Sequence, residues 1–445
     1  MSSDLMTIAT SGAKAARAAL DVTAQNIANA STEGYVRRSV QLAEIAPPSV
    51  RGQLGSAALS GVRLDRVERN VDLFKMAEMR RTTSDLSRAN AQLSGLEDIE
   101  ASLENAQIYP GMLEFEASLE ALAADPTNLS LRASALESAR TLARSFNVAS
   151  TSLDAAGHSA QFDAAAEVDQ VNVYANELAR INLRLARAQN GSTDQSALLD
   201  QRDLMLQRMS ALADVAVTTG PDFTVEVRLG SGGGIPIVQG GVASALTSTA
   251  APDGTPLFAV DGLPVTLAGG SLAGHGQALA ALRDHRSQLD TIAANLVAAV
   301  NTIQTGGAAL DGAPGQPFFT GSTAANIAVV LDAPHQIATA PNGSAAGSRD
   351  PSNLTALRNL LSNNGPADAM NALLFEVSSS VSGLTTTRDA LDTIATSAKI
   401  AVQSQAGVDL DHEAVSLIRF QQAFQASGRA MQVASDIFDT ILGIR

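Results

Sequence analysis

Seven carboxylates between Glu97 and Glu120 (Glu97, Asp98, Glu100, Glu104, Glu114, Glu116 and Glu120) have the residue type and density for acid–base cleavage of a glycosidic bond. That chemistry needs an apolar cleft that raises one carboxyl above its partner, yet the chain is 3% aromatic and has no Trp. On helices of this charge content the seven read as solvated faces. The five histidines, His158, His275, His285, His335 and His412, are scattered with no His-x-x-x-His spacing, so no metal site is indicated. Gly230-Ser231-Gly232-Gly233-Gly234 lacks the Lys-Ser/Thr of a phosphate loop and reads as a hairpin tip. No Ser-centred nucleophile elbow occurs, and the absence of Cys excludes disulfides and thiolate sites. The sequence indicates no catalytic residue, no cofactor and no metal, and the protein reads as a non-enzyme.

The residues that carry a pattern are apolar. Leu410, Leu417, Phe424, Met431 and Phe438 recur every seven residues between Val408 and Arg445, with Ala414, Ile441 and Leu442 on adjoining positions and Phe420 among the packing residues. This is an amphipathic helix whose narrow stripe needs a mate. Asp409, Asp411 and Glu413 stand at its start, where the helix dipole favours carboxylates. Gly428 within it hints at a close helix contact. Near the other end, Leu5, Ile8, Ala15, Ala19 and Val22 mark a second amphipathic helix over about residues 3–30, closing on Asn26 and Asn29. Its small side chains would admit a close partner, so the two ends are expected to pair with each other or to pack on other copies.

Between them the chain alternates in character. Residues 36–71, with Pro47-Pro48, read as a hairpin connector. Residues 70–212 read as long helices, with breaks at Gly95, Tyr109-Pro110-Gly111, Asp125-Pro126, Gly157 and Asn190-Gly191. Residues 215–267, rich in Val, Thr and Gly, read as a small inserted β domain. Helix returns at 277–305 and 367–405, and 322–366 reads as irregular. The fold class is mainly α with an inserted β domain. Its terminal helices are coiled-coil-like (1–35 with 400–445), and its helical body is assembled from both halves of the chain (36–214 with 268–399). A formal net charge of −15 argues against nucleic acid, and no apolar run approaches the roughly 20 residues of a membrane span. The N-terminus lacks the basic leader and apolar core of a cleaved signal peptide.

The run from Gln25 to Arg38, including Asn29, Gly34, Tyr35 and Arg37, resembles the N-terminal signature of the flagellar axial proteins of rod, hook and hook–filament junction. The run from Val408 to Ser427 is similar to the hook-associated version of that family. Leu198-Leu199-Asp200-Gln201-Arg202-Asp203 resembles an internal motif of the same branch, as does the pattern from Gly270 to Phe318. Glu33 replaces a common Pro, and His412 interrupts the usual acidic pair. The resemblance implies a structural subunit of the flagellum that joins hook to filament as a ring of copies. It implies terminal helices lining an inner tube, export through the flagellar type III system without cleavage, and an extracellular location. The implied partners are copies of itself, the hook protein, the next hook-associated junction protein and an export chaperone on the C-terminal helix. From the two narrow stripes, each of which buries too little surface to offset its ordering cost, the termini are expected to order only when neighbouring subunits supply the missing face. The alternatives are a hook or distal rod protein, a flagellum-associated peptidoglycan hydrolase, or a cytosolic helical scaffold.

Overall fold

The computed structural model describes residues 2–45, 61–230, 233–362 and 365–443, of which 2–4 and 441–443 are described by backbone alone. Pro47-Pro48, Ser231-Gly232 and the side chain of Leu442 lie outside the described residues. The chain runs through helix α1 (Ser2–Ala28), strands β1 (Arg38–Glu44) and β2 (Val62–Arg69), and helices α2 (Leu73–Asn105), α3 (Ile108–Ala124), α4 (Leu129–Leu185) and α5 (Thr193–Leu212). Strands β3 (Val215–Thr219), β4 (Val225–Leu229), β5 (Ile235–Gln239), β6 (Val242–Ala243), β7 (Leu246–Ala250), β8 (Pro256–Val260) and β9 (Leu263–Val265) follow. Helices α6 (Gly270–Thr305), α7 (Ser352–Ser362), α8 (Pro366–Ala406) and α9 (Leu410–Gly443) complete it. Among the described residues no helix is long and apolar enough to cross a membrane.

The chain divides into two compact units. The first comprises residues 1–84, 171–245 and 392–445. In it α1 packs along α9 and against the antiparallel hairpin β1–β2, and β3 to β6 form one antiparallel sheet in sequence order. Asn182 on α4 fastens that sheet: its amide donates to the Val225 and Gly240 carbonyls at 2.8 and 2.7 Å and accepts from the Val225 N–H at 2.9 Å.

The second unit comprises residues 85–170 and 246–391. Its core joins Leu103, Phe115, Leu142, Phe146, Leu296 and Met370 from α2, α3, α4, α6 and α8. Phe318 and Phe319, on the loop after α6, sit edge-on or tilted against Phe115 and each other at 5.0–6.1 Å between centroids. Fully burying side chains of this size stabilises by about 1.5–3 kcal/mol each. Asn301 fixes the loop by accepting from the Phe318 and Phe319 N–H groups at 2.8 and 2.9 Å. Arg132, fully buried, donates instead to carbonyls, at 2.6 Å to both Pro126 and Ile337, and burial lowers its guanidinium to about 10.

Several boundaries differ from the sequence reading. Gly95 and Gly157 do not break helices; they lie inside α2 and α4. A Cβ on Gly95 would overlap the Ala278 methyl on α6, so this glycine permits a close helix approach. Tyr109-Pro110-Gly111 opens α3; the break precedes it at Gln107, whose φ is 55°. Residues 215–267 form two sheets, β3–β6 in the first unit and β7–β9 in the second, because pairing stops between Ala243 and Leu246. Residues 352–362, read as irregular, form α7, whose Leu354, Leu357 and Leu361 are buried.

Candidate functional site

The two terminal helices run antiparallel. Thr10 lies opposite Met431, with Oγ1 donating to Sδ at 3.6 Å, and Asn26 lies opposite Glu413. At Gly12 the Ser427 side chain of α9 comes close, since a Cβ there would stand 3.0 Å from its Oγ. Gly428, where the close contact was expected, has nothing within 4 Å of such a Cβ. Ala15, Ala19, Val22 and Asn26 are buried, Ile8 and Asn29 half-buried, and Leu5 is 50% exposed. On α9, Leu417, Phe420 and Met431 are half-buried, while Leu410, Phe424 and Phe438 are 53%, 42% and 51% exposed. Among the described residues of α9, Glu413, Ser416 and Ala434 are the buried ones. A straight helix drifts by about 20° per heptad against a strict seven-residue repeat. The stripe therefore winds off a straight partner, and small side chains fill the seam instead.

At the root of this pair, four separated segments meet in one polar cluster. Asn26 is its hub. Its amide donates to the Arg38 carbonyl and to Glu413 Oε2 at 2.9 and 3.2 Å, and its carbonyl accepts from Tyr35 Oη and the Arg38 N–H at 2.9 and 3.0 Å. Arg37 Nε pairs with Glu413 Oε1 at 2.6 Å, and the Arg37 N–H donates to the Ala406 carbonyl at 2.8 Å. Gly34 makes the turn into this segment at φ 79°, a left-handed conformation that glycine takes without penalty, and it abuts Leu204 of α5.

The hairpin register places Arg38 directly opposite Arg69, an arrangement that repels unless an anion intervenes. Asp200 of α5 intervenes: Oδ2 accepts from Arg38 Nη2 at 3.0 Å and Oδ1 from Arg69 Nε at 2.9 Å. Arg69 Nη2 reaches on to Asp203 Oδ2 at 2.9 Å. Arg202 holds Asp203 Oδ1 through two donors and the Phe223 carbonyl through a third at 2.8 Å. The Arg38 guanidinium lies 5.0 Å from the Tyr35 ring centroid. Burial pushes the Tyr35 phenol up; Arg38 opposes this, and Asp200 and Glu413 add to it. Burial also pushes the Asp200 carboxyl up, against the pull of Arg69 and Arg38.

Of the motif residues, Gly34, Tyr35, Arg37, Asp200, Arg202 and Asp203 thus converge, whereas Gln201 is exposed. Arg38, Arg69 and Glu413 complete the set, and sequence reasoning assigned them no such role. The sequence placed Asp409, Asp411 and Glu413 together at the start of α9; there Asp409 caps the helix, accepting from the Asp411 and His412 N–H groups at 3.0 and 3.2 Å, while Glu413 of the first turn also enters the cluster. Elsewhere, Glu97, Asp98, Glu104, Glu114 and Glu120 are exposed on α2 and α3, and Glu100 and Glu116 half-buried. Among the described residues no three His, Asp or Glu converge as metal ligands.

Residues 93–319 match the model of the flagellar hook-associated protein FlgK helical domain. Residues 6–35 match the flagella basal body rod protein, and 402–444 the C-terminal part of the basal body rod FlgEFG proteins. Flagellar hook-associated protein 1 of Escherichia coli K12 is 24% identical over 556 aligned positions spanning all of both chains. Its counterpart in Bacillus subtilis 168 is 24% identical over 96% of this chain and 95% of the relative. The solved flagellar hook junction protein FlgK from Burkholderia pseudomallei matches 74% of this chain and all of its own, with a TM-score of 0.66 at 15% identity.

Proposed function

The chain belongs to the flagellar hook-associated protein FlgK family, and on that premise we propose that it is a structural subunit of the bacterial flagellum that joins hook to filament as a ring of identical copies. The observation that carries this reading is the arrangement of its ends. The rod-type segments are paired and locked at their root by the Asn26–Glu413 cluster, while α9 leaves Leu410, Phe424 and Phe438 of its seven-residue stripe exposed. An apolar face of this length is a surface for neighbours. A hook or distal rod subunit would share the terminal segments; the hook-associated helical match across the middle favours the junction role.

Residues 1–35 with 400–445 form the inner tube of the assembled junction, and the helical body surrounds them. The exposed α9 face receives copies of the chain, the hook protein on one side and the next hook-associated protein on the other. Before assembly the same face is covered by an export chaperone, and the chain leaves the cell through the flagellar type III apparatus without cleavage.

Phe424→Asp tests the role of the face. Because Phe424 is already exposed, the purified variant should unfold within about 1 °C of the wild type, as surface substitutions do, while failing to hold filaments on hooks. Unimpaired swimming by this variant would overturn the assignment of the face. Recovery of the chain only in cytosol, and never with sheared flagella, would overturn the flagellar reading itself.

A further inference from the structure

A groove of about 710 Å³ opens between α1 and the β1–β2 hairpin. Met6, Ile45, Val62 and Leu64 give it an apolar lining, and the exposed Lys14 and Arg63 line it as well. Ser11 ties its two walls together: Oγ donates to the Ile8 carbonyl at 2.8 Å and accepts from the Val62 N–H at 3.2 Å. Neither cation makes a hydrogen bond or ion pair among the described residues. From Leu5 to Leu20, α1 carries Lys14 and Arg17 and no acidic residue. The far end of α9 has the opposite character. Val433, Asp436, Ile437 and Thr440 fall three and four apart on one face and are all exposed, while Ser427 and Met431 on the other side meet α1. Asp436 has no ion pair among the described residues, and residues 430–443 hold Asp436 and Asp439 with no Lys or Arg. The two surfaces do not meet within one copy. The α9 face is turned away from α1, and the Thr10–Met431 contact sets Asp436 level with Leu5, about nine residues or about 14 Å from Lys14 along the helix.

We propose that the groove between α1 and the hairpin receives the far end of α9 from a second copy of this chain, with Val433 and Ile437 on its apolar lining and Asp436 against Lys14 and Arg63. An apolar helix face laid in an apolar groove supplies contact area, and opposite charges at its edge set register and polarity. The match is local: the groove brings two cations without partners to a stretch of α1 that has no acid, and the entering face brings an unpaired carboxylate from a helix end that has no cation. Groove and entering face are different surfaces, so the contact runs head to tail and repeats from copy to copy, as a ring requires. The inference rests on the reading of the protein as one of a ring of copies, and it names the surface of the receiving copy.

The chain has no Cys, so Leu64→Cys and Ile437→Cys, both at exposed positions, each introduce a single thiol. The two full-length variants, carrying different epitope tags, are co-expressed in the source bacterium lacking its own copy, and isolated flagella are oxidised. A disulfide-linked dimer bearing both tags is expected. Adding Asp436→Lys to the Ile437→Cys chain should lower its yield at least fivefold, and adding Lys14→Glu with Arg63→Glu to the Leu64→Cys chain should restore most of that loss. Absence of the doubly tagged dimer from flagella that contain both variants would overturn the proposal. So would a yield unmoved by Asp436→Lys, or a Leu64→Cys chain linked to a protein other than this one. Absence of the wild-type chain from isolated flagella would instead overturn the flagellar reading, and the ring with it.

Discussion

Asp200 and Tyr35 carry the testable chemistry of single side chains. Removing the Asp200 charge leaves Arg38 and Arg69 opposed across the hairpin with no anion between them. Asp200→Asn should destabilise the first unit by about 3–5 kcal/mol, the range for breaking a buried ion pair by one partner. Urea denaturation followed by circular dichroism would check this, with Asp194→Asn, an exposed position, as the control. Tyr35 predicts a pH dependence. Its folded-state value lies above the ordinary 10.0, so the folded form holds the phenolic proton more tightly than the unfolded chain. The resulting stability is fully present below pH 10 and is lost as pH rises through the raised value. Tyr35→Phe should forfeit about 0.5–1.5 kcal/mol at neutral pH for the lost hydrogen bond and show a shallower alkaline fall in melting temperature. Parallel curves for the two proteins between pH 9 and 12 would contradict that assignment.

At the scale of elements, helices were legible and close approaches were not. The apolar period of α9, the Asp409 cap and the Asp125-Pro126 stop are local signals, readable from neighbouring residues alone. A glycine within a helical pattern is ambiguous: it serves equally as an exit or as a point where another backbone comes near, and only the partner decides. Gly95 and Gly428, both inside helices, differ in just that: the first meets a neighbouring helix and the second open space. Gly428→Ala meets open space and should stabilise by about 0.5–1 kcal/mol through helix propensity. Gly95→Ala forces a methyl into Ala278 and should destabilise by about 1–3 kcal/mol despite the same propensity gain. Thermal melts of the two variants shifting in the same direction would refute this contrast. The polar cluster was hidden for a related reason. Arg38 and Arg69 become partners only through the hairpin register, and Asp200 finds them from 162 and 131 positions away along the sequence.

For the whole molecule, the two units differ in what holds them. The second has a continuous apolar core with three interlocked phenylalanines. The terminal helices of the first meet through small side chains such as Ala15, Ala19, Ser416 and Ala434, with Gly12 against Ser427, and through charge at one end. Segments that bury little apolar surface open at lower free energy than the core they belong to. Limited proteolysis of the purified chain should therefore cut the distal parts of α1 and α9 first, while residues 85–170 and 246–391 persist; simultaneous loss of both units would show a single cooperative body.

The contacts at the root of the terminal helices also order events in time. Asn26 and Glu413 are 387 positions apart, Arg37 and Glu413 376, and Thr10 and Met431 421. Closing loops of that length carries an entropic penalty that local contacts avoid. A chain synthesised from its N-terminus presents α1 first and its partner last, so α1 has no native mate until nearly every other residue has been made. The terminal pair therefore closes last, which ties completion of the first unit to completion of the whole chain.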